Sequence, residues 1–567
     1  MSHVNFHFGS LQKNVEATLA QLQPSNVIDR LWKKDYTIWR SEEVHRKSIL
    51  NRLGWLHSVD LMRQNNALVR HFAGEIRDAG FTHVVVLGMG GSSLCPDVCR
   101  ATFGSEAGYP RLLVLDSTNP VSVQRIENSI SLRTTLFIVA SKSGGTTETN
   151  MFYKYFYGKV TEVKGDDAGS NFVAITDANT QMEKIAQEKK FRKIFLNPED
   201  IGGRYSALSY FGLVPMALIG MDVSKILDSA VSMANSCVSP VIKENPAAIL
   251  GVTMGEAFKA GKDKLTFIAS KRIETFNYWT EQLVAESTGK EGKGIVPIEG
   301  EELQKEVSSD RLYVLLYLKS DKESMRSLRE NFTKINQPFV DVELSDAYEL
   351  GGEFFRWEFA TSIAAVVLQI NPFDEPNVKE SKDNTVRVIE EFKKSGTLPK
   401  QNPLTEGNGL SFYCEPSYSA QLAKSAGGQS LKEILHAHFR QCIPGDYASI
   451  LAYVDQNENN LKMLQQVRSA IGKRTQCATT LGFGPRYLHS TGQLHKGGKH
   501  HGVFLLITAE ESVDCKIPGE AYSFEILKNA QAIGDYQSLA GRSLRIVRVH
   551  LGKNIKNGLE HLHSILA

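Results

Sequence analysis

At 567 residues the chain exceeds the size at which one hydrophobic core stops growing, so two or three packed α/β units are expected. With 42% hydrophobic residues, 23% charged residues and a formal net charge of +2, the balance does not point to nucleic acid or to an anionic membrane as a partner. Any anion site has to be local. The seven cysteines are odd in number, scattered and without a CxxC pair, which disfavours a disulfide framework and a zinc ribbon and fits reduced thiols in the cytoplasm.

The N-terminus carries no basic stretch followed by an apolar one, and no run approaches the roughly 20 apolar residues of a membrane span. Residues 1–80 place Trp32, Trp39, Trp55 and Leu61 at helical spacing among charges, which predicts a helical arm. From Thr82 short apolar runs alternate with amphipathic segments: HVVVLG, RLLVLD at 111–116, TTLFIVA at 134–140 and NFVAITD at 171–177. That rhythm predicts a parallel sheet with crossover helices over 81–240. KLTFIAS, GIVPIEG, RLYVLLYLKS and PFVDVEL predict a second unit over 241–400. A third series over 401–567, YASILAYVD, TQCATTLGFG, HGVFLLITAE and SLRIVRVHLG, needs a sheet of its own or a place on the second.

The first strand ends in GMGGSSLCPDV, Gly88 to Val98, a glycine-rich turn that offers N–H groups and a helix N-terminus to an anion. A plain β-α turn accounts for it equally well. It is not a dinucleotide fingerprint, because Ser93 stands where glycine or alanine is required. Cys95 and Cys99, one helical turn apart, read as small core residues. TTLFIVA runs into SKSGGTTETN, Ser141 to Asn150, which crowds hydroxyls, a lysine and two glycines at a strand's carboxyl end, where open α/β sheets bind ligands. Five hydroxyls in one turn exceed what a helix cap uses. A P-loop is ruled out, since Gly289-Lys290 and Gly472-Lys473 are followed by Glu291 and Arg474.

Moving a proton α to a carbonyl needs a base, and the enediolate oxygen needs a cation. PEDIGGRYSALSYFGLVP sets Arg204 behind two glycines, and WTEQLVAESTGKEGKG sets Glu286 before a turn; singly, each also reads as a surface ion pair or a helix end. GPRYLHSTGQLHKGGKHHG gathers His489, His495, His500 and His501 with Gln493, Lys496 and Lys499. Without an acidic or cysteine ligand in the loop, and with two of the histidines adjacent, it reads as a proton-handling, anion-binding loop rather than a metal site.

In this order GMGGSSLCP, SKSGGTTET, GGRYS and ESTGK resemble the motifs of the glucose-6-phosphate isomerase family, and INPFDEPNV is similar to its bacterial members. The stretch from PRYLHSTGQLHKGG through CKIPGEAYSF to RVHLG resembles the isomerase half of bifunctional transaldolase/glucose-6-phosphate isomerase proteins. The resemblance covers residues 80–567. It implies an α/β fold of two sugar-isomerase (SIS, flavodoxin-like) domains with a C-terminal α/β region completing the site. The implied chemistry is isomerisation of glucose 6-phosphate and fructose 6-phosphate without metal or cofactor. Ser92, Ser141, Lys142, Ser143, Thr146 and Gln493 would hold the phosphate, supported by Gly91 and Gly203. Arg204 would stabilise the cis-enediolate, Glu286 would move the proton, and Lys496 would act at ring opening. The family's ring-opening histidine has no counterpart in LGGEFFRWEFA, which leaves His495 or His489, or opening in solution. Glu148 matches the acidic residue that orients that histidine. A homodimer and a link to transaldolase, by fusion or by pathway, are the partners implied besides the sugar phosphate. A phosphosugar sensor, or an isomerase of another hexose phosphate, are the alternative readings.

Overall fold

The computed structural model describes residues 2–303, 307–428 and 430–567. It contains three sheets. The first is parallel throughout, in the order Arg111–Leu115, His83–Gly88, Thr135–Ala140, Phe172–Asp177, Lys193–Asn197. The second runs Val296–Ile298, Lys264–Ala269, Arg311–Leu318, Phe339–Leu344 and ends on His3–His7, which is antiparallel. The third runs Ala478–Phe483, Tyr447–Tyr453, Gly502–Thr508, Arg545–His550 in parallel and ends on the hairpin Leu410–Tyr413 and Thr405–Gly407. Each sheet therefore places its first parallel strand between its second and third, the flavodoxin-like order with a switch point beside the first strand. The C-terminal strands form a sheet of their own.

The N-terminal arm is helical except for its first strand, where Val4 and Phe6 alternate with polar residues and which closes the open edge of the second sheet. Behind it the helix Ser58–Asp78 buries Val59, Met62, Val69, Phe72 and Ile76, one stripe at helical spacing. The helix Leu350–Leu368 is apolar nearly all round, and all but one of its residues are buried; it packs between the helices Val223–Ser236 and Pro246–Lys259. Within it Glu358 is fully buried with neither carboxyl oxygen hydrogen-bonded, and burial pushes its pKa well up. The helix Val378–Ser395 leaves the second unit to pack along Phe524–Gly541 of the third.

At the third sheet's switch point no cleft opens. Asp455, after its first strand, accepts from Ser122 Oγ at 2.6 Å and pairs with Arg125 at 2.5 Å. Glu511, after its third strand, pairs with Lys528 at 3.0 Å and accepts from Asn119. The start of the helix Pro120–Ser129 from the first unit thus fills the place. No described helix is long and apolar enough to cross a membrane.

Candidate active site

The first sheet's switch point opens into a cleft of about 650 Å³ to which all three units contribute. Two glycines let the units meet. Gly90 has φ +54°, and a Cβ there would lie 2.7 Å from Gln282 Nε2 of the second unit and 2.9 Å from His489 O of the third. A Cβ on Gly91 would lie 1.9 Å from Gly203 O, so the turn carrying Ser92 rests directly on the turn carrying Arg204. The second loop folds on itself: Ser141 Oγ and Thr146 Oγ1 are 3.0 Å apart, and Ser143 Oγ accepts from the Gly145 N–H at 3.2 Å. Ser92, Lys142, Ser143 and Thr146 line the cleft, with Ser141 buried behind them. Lys142 donates to the Asp177 carboxylate and to Glu199 O, which holds its ammonium group at the mouth.

Arg204, 5% exposed, is fixed on every side. Nε donates to Ser287 Oγ at 2.9 Å, Nη2 to the carbonyls of Pro372 and Asp374 at 2.6 and 3.1 Å, and Nη1 faces Glu286 and Glu375, each at 3.2 Å. Burial lowers the guanidinium's pKa, but the two carboxylates outweigh it and the net pKa is raised. Glu286 ends the helix Phe276–Thr288. Burial pushes its pKa up with help from Glu375, against Arg204, His489 and the hydrogen bond from Gln282, and the net value stands above the ordinary carboxylate range. A carboxylate poised this way suits proton transfer near neutrality.

The imidazole comes from the third unit. After Ala478–Phe483 the chain turns through Arg486–His489, and His489 Nε2 lies 3.0 Å from Glu148 Oε1, at the start of the helix Thr147–Lys164. Gln531 donates to the same carboxylate oxygen at 2.7 Å. Burial raises the Glu148 pKa, but His489 reverses this and the net pKa is lowered, so the carboxylate stays charged opposite the ring. The loop is tied down on both sides: Arg486 reaches Asp97 and Asp116 at 3.4 and 3.3 Å, and Ser490 donates to Glu281 at 2.8 Å.

Three expectations for this loop are corrected. His495 does not face the cleft. Its Nδ1 is 2.9 Å from the Tyr447 hydroxyl among Tyr447, Tyr487 and Phe504, and burial pushes its pKa down to about 3, so it is a neutral core residue. Gln493 does not reach the cleft either: its amide donates to Gly289 O and Asn377 Oδ1, both at 2.8 Å, and accepts from Asn377 N, locking the third unit to the loops around it. Lys496, 2% exposed, pairs with Asp535 at 2.7 Å; it lines a smaller cavity of about 100 Å³ shared with Thr146, Glu148 and His489, behind the imidazole. The four histidines diverge, since His501 pairs with Asp263 at 3.1 Å while His500 is exposed.

Two residues escaped the sequence reading. Gln282 stands one turn before Glu286, donating to it at 3.1 Å and to His489 O at 2.7 Å, and so links the carboxylate to the imidazole loop; its i, i+4 spacing is the signal that was available. Glu375 lies within INPFDEPNV, where nothing local marks it as a partner of Arg204.

The profile of the family described as Phosphoglucose isomerase matches residues 60–309. A probable glucose-6-phosphate isomerase of Methanococcus maripaludis is 28% identical over 380 residues, 60% of this chain and 85% of the relative. A glucose-6-phosphate isomerase of Prochlorococcus marinus is 26% identical over 457 residues, 71% and 83% respectively. The chain belongs to the phosphoglucose isomerase family. Phosphoglucose isomerases also share the fold. A crystal structure of a glucose-6-phosphate isomerase from Chlamydia trachomatis aligns at TM-score 0.51 with 17% identity, covering 65% of this chain and 78% of that one. The hypothetical protein TT0462 from Thermus thermophilus aligns at 0.57 with 23% identity, covering 68% and 99%.

Proposed function

We propose that this phosphoglucose isomerase family member interconverts glucose 6-phosphate and fructose 6-phosphate through a cis-enediolate, with Glu286 as the base. The observation that carries the reading is the contact of Glu286 with Arg204 at 3.2 Å in a cleft whose other wall is the His489–Glu148 pair.

The phosphate lies against the hydroxyls of Ser143 and Thr146, with Lys142 at the mouth and Ser92 on the facing turn. His489, held by Glu148, gives a proton to the ring oxygen as the C1–O5 bond breaks and the C1 hydroxyl loses its proton to water, which leaves the C1 carbonyl; the Lys496–Asp535 pair lines the cavity behind the imidazole. Glu286 then takes the C2 proton. The electron pair moves into a C1–C2 double bond and the carbonyl oxygen becomes an oxyanion opposite the Arg204 guanidinium, which is already in place and needs no reorganisation. A proton passes from the C2 hydroxyl to that oxyanion, and protonated Glu286 returns its proton to C1 as the C2–O bond becomes a carbonyl, giving the ketose. Every one of these groups comes from a single chain, so the carboxylate, the guanidinium and the imidazole do not depend on a second copy.

The test is conversion of fructose 6-phosphate to glucose 6-phosphate, coupled to NADP reduction with EDTA present, for wild type and Glu286→Gln. Turnover should fall about 100 to 10,000 fold with sugar-phosphate affinity largely kept. A fully active Glu286→Gln enzyme would remove Glu286 from the mechanism.

A further inference from the structure

One wall of the cleft comes from the N-terminal arm, and the proposed reaction uses nothing on it. Residues 51–54 run antiparallel to residues 200–202, the approach to the Arg204 turn. Leu53 bridges Ile201, and the Gly54 N–H donates to Asp200 O at 2.7 Å. A Cβ on Gly54 would lie 2.1 Å from Asp200 Oδ1, so only glycine lets the two segments come this close. Beside this contact the aliphatic stem of Arg52 lies over Gly202, where an added Cβ would meet Arg52 Cδ at 3.0 Å. Arg52 thereby lines the cleft together with Ser92, Lys142, Ser143 and Thr146.

The head of this side chain is uncommitted. Among the described residues its one hydrogen bond runs from Nη1 to Asn51 O at 2.9 Å, and it has no ion pair. The other lysine and arginine on the cleft wall are both taken up by carboxylates, Lys142 by Asp177 and Arg204 by Glu286 and Glu375. The pKa of Asp177 is raised chiefly by burial, with Glu199 adding to it and Lys142 and Arg52 opposing, so these four charges share one corner of the cleft. Without Arg52 that corner sets Lys142 against two carboxylates, a net negative charge that repels a phosphate dianion. With Arg52 the charges balance, and the hydroxyls and N–H groups of the loop after Thr135–Ala140 can hold the anion. A guanidinium's planar fork also matches two phosphate oxygens at once. We infer that Arg52 is a substrate-binding residue, its free fork taking the sugar's phosphate opposite the hydroxyls of Ser143 and Thr146. The role rests on the isomerase reading of the cleft, to which it adds a contact from outside the sheet's own loops.

The experiment pairs isomerase kinetics with calorimetric titration of the full chain by inorganic phosphate, which reports anion binding without turnover. Arg52→Met keeps the stem over Gly202 and removes only the charged fork. It should raise KM for fructose 6-phosphate about 10 to 100 fold while kcat falls by less than about threefold. Inorganic phosphate should weaken by a similar factor, and added guanidinium chloride should restore part of the KM loss. Arg52→Lys, which keeps the charge without the fork, should fall between wild type and Arg52→Met, and it carries the test if the methionine variant does not fold. Unchanged KM and unchanged phosphate affinity would overturn the proposal. So would a lower kcat at unchanged KM, which would make Arg52 a prop for the Gly202–Arg204 turn. A wild type that binds phosphate through Arg52 but turns over no sugar phosphate would keep this contact and remove the isomerase reading, so the two fail separately.

Discussion

The first and third sheets share a strand order and hence a switch point, yet one opens into a cleft and the other is sealed. After Thr135–Ala140 the chain supplies Ser-Lys-Ser-Gly-Gly-Thr, short hydroxylated side chains and free N–H groups. After Gly502–Thr508 it supplies Ala509, Glu510 and Glu511, and after Tyr447–Tyr453 it supplies Asp455. Carboxylates at this place repel a phosphate and recruit donors instead, and Ser122, Arg125, Asn119 and Lys528 meet them. Topology offers a site three times, and the few residues that follow the strands decide whether it is opened or used as glue. The third unit contributes to the reaction from elsewhere, through the loop after its second strand.

The seal is where the comparison breaks most visibly. Glu511→Leu leaves the buried Lys528 ammonium without a carboxylate, held only by the Ala509 carbonyl at 3.1 Å, and should cost about 3–5 kcal/mol in denaturant unfolding of the third unit. Turnover per folded molecule should stay at the wild-type level; a large loss would mean that this pair belongs to the active site. On the open side, Arg204→Lys keeps a positive charge but cannot hold Ser287, Pro372, Asp374 and Glu286 together. Turnover should fall about 100 to 1,000 fold. An equally active lysine variant would mean that charge alone is used.

A smaller effect tests the third unit's contribution. Glu148→Gln leaves His489 in place but removes the charge that orients and supports its protonated form. Turnover of glucose 6-phosphate should fall about 10 to 100 fold, within what acid–base catalysis contributes. An aldose phosphate too short to close a ring should be affected much less. Equal losses on both would place His489 in the proton transfer rather than in ring opening.

Much of this was legible before any coordinates. Gly90, Gly91 and Ser141 to Thr146 lie where strand-and-turn chemistry put them, and Arg204 and Glu286 meet although 82 residues separate them in the chain. Ranking the residues of the 484–502 loop was not possible from sequence. His489, Gln493, His495 and Lys496 fall on two consecutive short turns, and a shift of one residue along such a turn carries a side chain from the cleft to the core. The edge strand His3–His7 was masked by the helices after it, because five alternating residues are a weak signal. The sealing of the third switch point depends on partners 333 and 392 residues away, which no local pattern reports.

The least perturbing change sharpens the acid side of the cleft. Glu286 acts only when ionised, so kcat/KM should fall as pH drops through its raised pKa. Glu375 raises that pKa as a like charge, and it also competes for the Arg204 guanidinium. Glu375→Gln removes both influences, and both push in the same direction: the Glu286 pKa falls and the acid limb of the kcat/KM profile moves to lower pH. Because burial, the largest cause of the raised value, is unchanged, the limb should remain above the range of an exposed carboxylate. A limb that stays still or moves up would show that the group titrating there is not the carboxylate facing Arg204.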